Sequence, residues 1–208
     1  MTESTCGGLL TNKTDKNFSE KAAYESIGRN FLETKIRDPE TNEIVPRNTD
    51  GEICLRGFSI MKGYYEDEEK TKSTIDKNGW LLTGDIGCMD EDGYVYFKSR
   101  AKELVIRGGV NIYPSEIEKY LRTHPDVVDC YVVGVPDERL GEELCVWIKM
   151  KPDAKGLDHE AVREFCNGQI AHFKIPKYVK IVDAFPVSAT AKIQKFKMID
   201  QMKIELNL

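Results

Sequence analysis

The sequence lacks the long apolar runs that mark membrane spans and secretory signals. No stretch approaches the roughly 18 consecutive apolar residues of a membrane-spanning helix, and the opening residues MTESTCGGLL have no basic segment followed by an apolar one. Hydrophobic residues still make up 40% of the 208-residue chain and aromatic residues 9%, which is enough to build a buried core. We therefore expect a soluble, intracellular chain without a transmembrane or targeting segment.

Cysteine and histidine are too few and too scattered to indicate a disulfide framework or a metal site. The sequence has six cysteines and three histidines, with no CxxC pair and no histidine at metal-ligand spacing from a cysteine. We expect reduced, mostly buried thiols and histidines that are ordinary surface or capping residues. The residues concerned are Cys6, Cys54, Cys88, Cys130, Cys145 and Cys166, and His124, His159 and His172.

The chain also lacks the excess of positive charge that favours nucleic acid as a partner. Its formal net charge is −5. Residues 1–97 hold 12 basic against 19 acidic residues, and residues 98–208 hold 18 against 16. Because domains that bind nucleic acid concentrate Lys and Arg, we expect no nucleic-acid partner. The slightly basic second half is compatible with a small anionic ligand.

Residues 31–97 have the sequence pattern of an antiparallel layer of strands. The extended runs are FLETKIRD, EICLRGF, GWLLTGD and CMDEDGYVYF, with Asp92-Gly93 as a turn inside the last. One acidic helix, EDEEKTKSTID, interrupts them. With no helices before it to cover its faces, such a layer is expected to be either a small β-barrel or the end of a larger domain.

From Lys102 onward, strands and helices alternate. Pro114 is expected to open the first helix and Asp158 to cap the second. The predicted strands are ELVIR, VVDCYVVGV, ELCVWIKM and YVKIVD, and the helices are PSEIEKYLRTH, DHEAVREFCNGQIA and a C-terminal one. We therefore predict an α+β chain with a boundary near residue 101: a β-barrel-like strand layer over 1–101 and a compact α+β domain over 102–208.

The stretch SRAKELVIRGGVNIYPSEIE, residues 99–118, places a Gly pair between a short apolar run and a helix start. Phosphate-binding loops follow the patterns GxxxxGK[ST] or GxGxxG, and neither occurs here. On composition alone, Gly108-Gly109 is a tight turn in which glycine permits positive φ. The local sequence therefore supports only a structural role for the Gly pair, and evidence for a functional role has to come from the rest of the chain.

Six short motifs follow one another along the chain: Thr2-Glu3, GEICLRGFSIMKGYY, GWLLTGDIG, DGYVYFKSRAKELVIRGGVNIYPSEIE, FKIPKY and PVSATAKIQK. In this order and at these spacings they resemble the signature motifs of AMP-forming acyl-CoA synthetases, which belong to the adenylate-forming superfamily. FKIPKY and KIQKFK are most similar to the medium-chain fatty acyl-CoA synthetase branch. The resemblance implies that residues 1–101 are the C-terminal remnant of the large AMP-binding domain and that residues 102–208 are the small mobile C-terminal domain.

The resemblance implies a two-step reaction that uses ATP, Mg²⁺ and CoA. A carboxylic acid is first activated to an acyl-adenylate with release of pyrophosphate, and the CoA thiol then displaces AMP. Because two anions meet in the first step, the site must supply positive charge. By motif match, Lys192 is the catalytic lysine that reaches the carboxylate and the α-phosphate, and Asp85 accepts hydrogen bonds from the two ribose hydroxyls. Without the resemblance, Lys192 is interpreted as a solvated surface residue and Asp85 as a turn residue.

The same motif matching assigns the remaining nucleotide contacts. Thr2 matches the hydroxyl that contacts the α-phosphate, and Glu3 matches the Mg²⁺ ligand, since Mg²⁺ prefers hard oxygen donors. Arg100 matches the arginine that contacts the adenylate. The competing interpretation of Thr2 and Glu3 is that of a frayed chain terminus.

The motif that contains the Gly pair is matched to a moving joint. Lys102 stands at the position that acts in the family as the hinge about which the small domain swings between the two half-reactions. After the swing, the Gly108-Gly109 turn would border the pantetheine tunnel of CoA, where bare backbone admits a narrow thiol arm. The structural explanation of the Gly pair, a turn at positive φ, stays open beside this one.

The sequence departs from the family pattern at three positions. Ser99 and Ala191 stand where glycine is usual, and Val110 stands where an acidic residue is common. If the position before Lys192 requires positive φ, Ala191 costs about 1 kcal/mol or more and affects how the lysine is placed.

The Ser/Thr/Gly-rich phosphate loop and most of the acyl pocket, which precede the Thr-Glu motif in the family, do not occur in this sequence. STCGG lies after the start of that motif and has no lysine. We therefore expect the chain to supply the carboxy-terminal part of an enzyme and not to form acyl-CoA alone.

Three functions compete. The first is activation of a fatty, medium-chain carboxylic acid and its transfer to CoA. The second is a truncated, non-catalytic module that at most binds adenine nucleotide or CoA, or associates with the missing large domain or a full-length relative. The third is an adenylation unit that serves a carrier protein or a luciferase-like oxidation. The family resemblance is compatible with a mitochondrial location, and the cytoplasm is the other expected one.

Overall fold

The computed structural model describes residues 2–4, 9–10, 26–30, 32–154 and 157–208, and for 9–10 and 26–30 it describes only the backbone. Cys6 lies outside the described residues. The chain divides into two compact units, Met1–Lys102 and Glu103–Leu208. The assignment of the two parts of the chain to a large AMP-binding domain and a small mobile domain stays a prediction.

The first unit is built around an antiparallel sheet. The strand order is β1-β2-β6-β5-β4-β3, so over the described residues β1 and β3 lie at the two ends of an open sheet rather than closing a barrel. A short 3₁₀ helix, Thr2–Ser4, precedes the strands. The strands are β1 (Leu9–Leu10), β2 (Ser26–Asn30), β3 (Glu33–Arg37), β4 (Gly51–Arg56), β5 (Leu81–Met89) and β6 (Val95–Arg100), and α1 (Glu68–Thr74) lies between β4 and β5.

One face of this sheet carries an apolar core. Its buried side chains are Leu32, Ile36, Ile53, Leu55, Leu81, Met89 and Val95. Because side chains alternate along a strand, Glu52 and Cys54 point to the opposite face of β4, and both are buried there as well. Strand β4 is therefore buried on both faces, which its mixed sequence GEICLR did not indicate.

The predicted acidic helix is present but is shorter than the run EDEEKTKSTID that predicted it. It begins after Asp67, whose carboxylate accepts the Lys70 N–H at 2.9 Å as an N-cap. Lys72 and Glu68 form an i,i+4 ion pair at 3.0 Å. None of the seven helical residues is buried, so capping and charge pairing account for this helix better than an apolar face does.

The second unit is an α+β sandwich. Its sheet has the order β11-β10-β7-β8, and β9 pairs with β10. Strands β9 and β10 form a long antiparallel hairpin, and β11 runs parallel to β10. The elements are β7 (Val105–Arg107), β8 (Val110–Ile112), α2 (Pro114–Leu121), β9 (Val127–Asp137), β10 (Gly141–Met150), α3 (His159–Cys166), β11 (Tyr178–Ile181) and α4 (Lys195–Leu206).

Helices cover both faces of the β9–β10 hairpin. Leu144, Val146 and Ile148 pack with α2 and α3 on one face, whereas Cys145 and Trp147 pack with Met198 and Met202 of α4 on the other. The run ELCVWIKM is apolar at nearly every position because both faces of β10 are covered.

Two elements of this unit differ from the sequence prediction. The helix predicted over 158–171 begins after the Asp158 cap, as expected, but it ends at Cys166, and Gly168 has a φ of +72°. Strand β8 was not predicted: the three residues after the Gly pair turn back and pair with β7. The mixed α/β fold with antiparallel sheets is otherwise the one predicted.

Candidate functional site

Asp85 and Arg100 lie side by side on neighbouring strands. They are direct cross-strand partners in the β5–β6 pairing, and Arg100 Nε is 3.2 Å from Asp85 Oδ1. The Arg100 side chain is 61% exposed and that of Asp85 17%. The structure thus brings together two of the residues that motif matching selected, a half-buried carboxylate and a guanidinium open to solvent.

A buried ion pair supports the irregular point of strand β5 just before Asp85, where the register with β4 shifts. Gly84, which has a φ of +68°, donates its N–H to Glu52 Oε1 at 3.0 Å. Glu52 also accepts from Arg37 Nε at 3.0 Å and from Arg37 Nη2 at 2.6 Å. Asp85 N–H in turn donates to Thr83 Oγ1 at 3.1 Å. Motif matching missed Glu52, and its position in GEICLRG gave the only signal that could have found it.

Thr2 and Glu3 lie in the short 3₁₀ helix. The Glu3 carbonyl accepts the Met61 N–H at 2.8 Å, and Glu3 Oε1 accepts the Tyr64 hydroxyl at 3.3 Å. Thr2 is exposed. Both contacts to Glu3 come from the GFSIMKGYY segment, so two of the six motifs meet here. No cluster of three or more metal-capable side chains occurs among the described residues.

Lys192 projects from a closed loop before α4. Ser188 N–H donates to the Lys192 carbonyl at 2.8 Å and Lys192 N–H to Ser188 Oγ at 3.1 Å. Val187 and Ile193 bridge at the base of the loop. Ala191 has a φ of +59°, so the condition under which alanine costs stability at this position is met. Backbone hydrogen bonds therefore fix where Lys192 leaves the chain, while its side chain is exposed.

The Gly pair forms the two-residue turn of the β7–β8 hairpin. Arg107 pairs with Val110 across it, and Gly108 and Gly109 have φ of +58° and +81°. Positive φ at both central positions is the requirement of a type I′ hairpin, so the structural explanation is confirmed. A Cβ built on Gly109 meets nothing within 4 Å, which leaves φ as the only local reason for glycine there.

The predicted site residues fall into two groups. Thr2, Glu3, Asp85 and Arg100 belong to the first unit, and Gly108, Gly109 and Lys192 belong to the second. Lys102, the predicted hinge, is exposed in the short 3₁₀ helix Ala101–Glu103 and is the last residue of the first unit. The roles given to all these residues remain predictions.

The buried thiols among the described cysteines are unsuited to nucleophilic chemistry at neutral pH. Five of them are described and free, and four of these are buried. Burial raises the pKa of Cys54, Cys130 and Cys145 to about 12, which keeps these thiols protonated. The prediction of reduced, mostly buried thiols is confirmed for the five described cysteines. Over the same described ranges, no helix is long and apolar enough to cross a membrane.

Comparison with known protein families matches both units of the chain. Residues 1–65 match the family described as AMP-binding enzyme, and residues 116–192 match the AMP-binding enzyme C-terminal domain. The second match ends at Lys192 and begins within α2. Two different models, in this order, therefore cover most of the chain.

The curated proteins to which the chain is similar are named as acyl-CoA synthetases or ligases. The chain is 46% identical over 198 residues to the putative acyl-CoA synthetase YngI of Bacillus subtilis, covering 94% of this chain and 36% of that protein. It is 44% identical over 199 residues to the mitochondrial medium-chain acyl-CoA ligase ACSF2 of Bos taurus, covering 95% of this chain and 32% of that protein. The chain thus spans about a third of the length of these relatives.

Solved structures share the fold. The o-succinylbenzoate CoA synthetase MenE of Bacillus subtilis, in complex with its acyl-adenylate intermediate, matches with a TM-score of 0.84 and 30% identity over 98% of this chain and 40% of that one. ATP-bound MatB of Rhodopseudomonas palustris matches with a TM-score of 0.80 and 37% identity over 86% of this chain and 36% of that one. From these matches and its motifs, the chain belongs to the AMP-forming acyl-CoA synthetases of the AMP-binding enzyme family.

Proposed function

We propose that the protein to which this chain contributes activates a medium-chain fatty acid with ATP to an acyl-adenylate and then transfers the acyl group to CoA. The observation that supports this most is the Asp85–Arg100 pair. Two residues matched independently, one to the ribose and one to the adenylate, are cross-strand neighbours 3.2 Å apart. Motif order alone does not require that contact.

The charges of this pair suit the two parts of an adenylate. A carboxylate accepts two hydrogen bonds from neighbouring ribose hydroxyls, and the Glu52 contact to Gly84 holds the backbone just before Asp85 in place. Arg100 is anchored through Nε by Asp85, and its largely exposed guanidinium retains donors for a phosphate oxygen. Binding and orientation of AMP are thus the roles proposed for these two residues.

Lys192 is proposed to stabilise the charge that develops when carboxylate and α-phosphate react. The loop fixes its backbone, while the flexible side chain carries a compact cation. Such a donor is valuable only if it is positioned where negative charge accumulates. Glu3 and Thr2 offer the hard oxygens with which Mg²⁺ and a phosphate would be held, since Mg²⁺ in nucleotide sites takes one or two carboxylates plus phosphate oxygens. Mg²⁺, when bound, neutralises phosphate charge.

The proposal also specifies CoA as the acyl acceptor and a medium-chain fatty acid as the substrate. The bovine relative is named a medium-chain ligase and mitochondrial, which supports that substrate class and that location, whereas the other relative described above is bacterial. Lys102 is proposed as the hinge that exchanges the Lys192 loop for the Gly108-Gly109 turn between the two half-reactions.

Single-turnover kinetics on the full-length protein test the proposal. Lys192→Ala is expected to lower the rate of acyl-adenylate formation by about 10²–10³, the usual cost of removing one transition-state donor, and to spare thioester formation from supplied acyl-AMP. Lys197→Ala, an exposed lysine in the first turn of α4, is the matched control. Equal loss of both half-reactions would refute the assignment of Lys192.

Assaying the 208-residue chain alone helps to distinguish the proposed enzyme from the alternative of a non-catalytic module. With ATP, Mg²⁺, CoA and fatty acids of varied length, we expect no pyrophosphate release above background, because charge stabilisation around the phosphates provides most of the catalysis in such transfers. If the full-length protein is equally inactive yet binds AMP or CoA, the protein is a non-catalytic module and the proposal of an enzyme is wrong. Turnover by the chain alone would contradict the expected dependence on further residues.

A further inference from the structure

We propose that the buried ion pair between Arg107 and Glu143 positions the Gly108-Gly109 turn and thereby serves the thioester half-reaction. Neither residue is assigned a role by the motif matches described above. The role of the turn in thioester formation rests on the proposed function, but the claim that the ion pair positions the turn is independent of it. Arg107 and Glu143 are positioning residues, since they act through the turn and not on substrate.

The pair is the most buried Arg–carboxylate contact of the second unit. Arg107 Nε lies 2.6 Å from Glu143 Oε1, and Nη2 lies 2.9 Å from Oε2, which is a bidentate arrangement. The Glu143 side chain is 2% exposed and that of Arg107 22%. Hydrogen bonds to Glu143 raise the pKa of Arg107, so the guanidinium stays charged.

Apart from the buried side chains of Val105 and Ile112, which pack in the core, the hairpin that bears the turn has few attachments to the sheet. Strand β7 shares a single register pair with β10, Gly141 with Arg107, whereas β9 and β10 pair along ten positions. Two further hydrogen bonds reach the hairpin: Gly108 N–H to the Leu140 carbonyl at 2.8 Å and Ile106 N–H to Glu142 Oε2 at 2.7 Å. The Arg107–Glu143 contact is therefore a large share of the polar contacts that orient the turn.

Stability alone is a weak reason for this pair. Positions 143–148 of β10 are all buried, and all but Glu143 are apolar. A buried ion pair usually costs as much in desolvation as it returns, and apolar residues of similar size often serve stability as well. What apolar residues do not provide is a directional link from the strand to the residue immediately before the Gly pair. Orientation of the turn is the property that the bidentate geometry adds.

The test compares Glu143→Gln and the double variant Arg107→Met/Glu143→Gln with the parent. Glutamine keeps an acceptor for the Leu144 N–H, which Glu143 Oε1 accepts at 2.9 Å, and the double variant leaves no unpaired buried charge. Asp129→Asn is the matched control, because Asp129 pairs with Arg122 at 2.7 Å in the same unit but near the other end of β9. Unfolding midpoints of all variants are measured first.

Two measurements are then made. In the 208-residue chain, amide exchange at Gly108 is expected to become about tenfold faster in both variants, as on loss of a charge-assisted hydrogen bond, and to be unchanged in Asp129→Asn. In the full-length protein, the thioester step is expected to slow by about tenfold with a raised KM for CoA, while acyl-adenylate formation keeps the parent rate.

Each outcome decides one of the two claims. Unchanged Gly108 exchange in the double variant would overturn the positioning claim. Faster Gly108 exchange with a parent-like thioester step, in a double variant of parental stability, would overturn the claim that the positioned turn serves the thioester half-reaction. If Glu143→Gln fails to fold, the double variant decides. If the parent forms no acyl-adenylate at all, the proposed function fails, and the exchange measurement still decides whether the pair positions the turn.

Discussion

Replacing Ala191 by glycine is expected to stabilise the second unit, although glycine usually destabilises. Ala191 is the residue before Lys192 and has a φ of +59°. The left-handed region brings Cβ of an L-residue too close to the following carbonyl, which costs about 1–2 kcal/mol. Glycine has no Cβ and adopts this region without that cost.

The expected gain is the relieved strain less the entropy that glycine adds to the unfolded chain. The entropic cost of an alanine-to-glycine change is about 0.4–1 kcal/mol, so the net stabilisation lies between about 0 and 1.6 kcal/mol and is about 0.8 kcal/mol from the midpoints of the two ranges. For a domain of roughly 100 residues, 1 kcal/mol corresponds to a shift of about 4 °C or more in the unfolding temperature. The loop hydrogen bonds of Ser188 and Lys192 do not involve a side chain of Ala191, so they are retained.

The assay is thermal and urea unfolding of the 208-residue chain, with Ala189→Gly as the control. Ala189 is exposed in the same loop, and it is not among the positive-φ residues of the described part of the chain. The same chemical change two residues away is therefore expected to destabilise by about 0.5–1 kcal/mol. A parallel loss of stability in both variants would refute the reasoning, because it would mean that Ala191 is not strained in solution.

Two further predictions follow from single residues of the second unit. Gly109→Asn is expected to fold with a modest loss of stability, because a side chain at a φ of +81° is strained, although Asn tolerates positive φ better than most residues and a Cβ here meets nothing within 4 Å. It is also expected to raise the KM for CoA, and an unchanged KM would contradict a place for the turn on the CoA path. Burial acts to raise the pKa of Asp129, but hydrogen bonds from Arg122, Tyr131 and the Cys130 N–H lower it below its ordinary value of 3.8. The stability that Asp129 contributes is thus present above its unfolded pKa and lost as pH falls through the lower folded pKa. Asp129→Asn should therefore flatten the acid limb of the unfolding midpoint between pH 5 and pH 2 in urea titrations, roughly where such carboxylates titrate, and an unchanged limb would contradict this.

Local chemistry made parts of the fold predictable from sequence. The Gly pair was expected in a turn at positive φ, and both glycines have it, because that conformation depends mainly on one residue's own sterics. Pro114 and Asp158 begin their helices as predicted. Each of these expectations needed only neighbouring residues.

What the sequence did not predict depends on residues far apart in the chain. No sequence pattern singled out Glu52 or Glu143, yet both are buried, because their arginine partners lie 15 and 36 residues away. Strand β8 has three residues and exists only because the hairpin pairs it with β7. The contact between Asp85 and Arg100 likewise required the β5–β6 register, which the motif order does not fix.

The most direct test of the central claim is to measure both half-reactions of the full-length protein in one preparation, for Lys192→Ala and for Lys102→Pro. Proline fixes φ at the proposed hinge, so Lys102→Pro is expected to form acyl-adenylate and to stall before thioester formation. Lys192→Ala is expected to show the reverse pattern, with adenylate formation lost and thioester formation from supplied acyl-AMP retained. If Lys102→Pro turns over with CoA like the parent, or if both variants lose the same half-reaction, the division of roles between Lys102 and Lys192 is wrong.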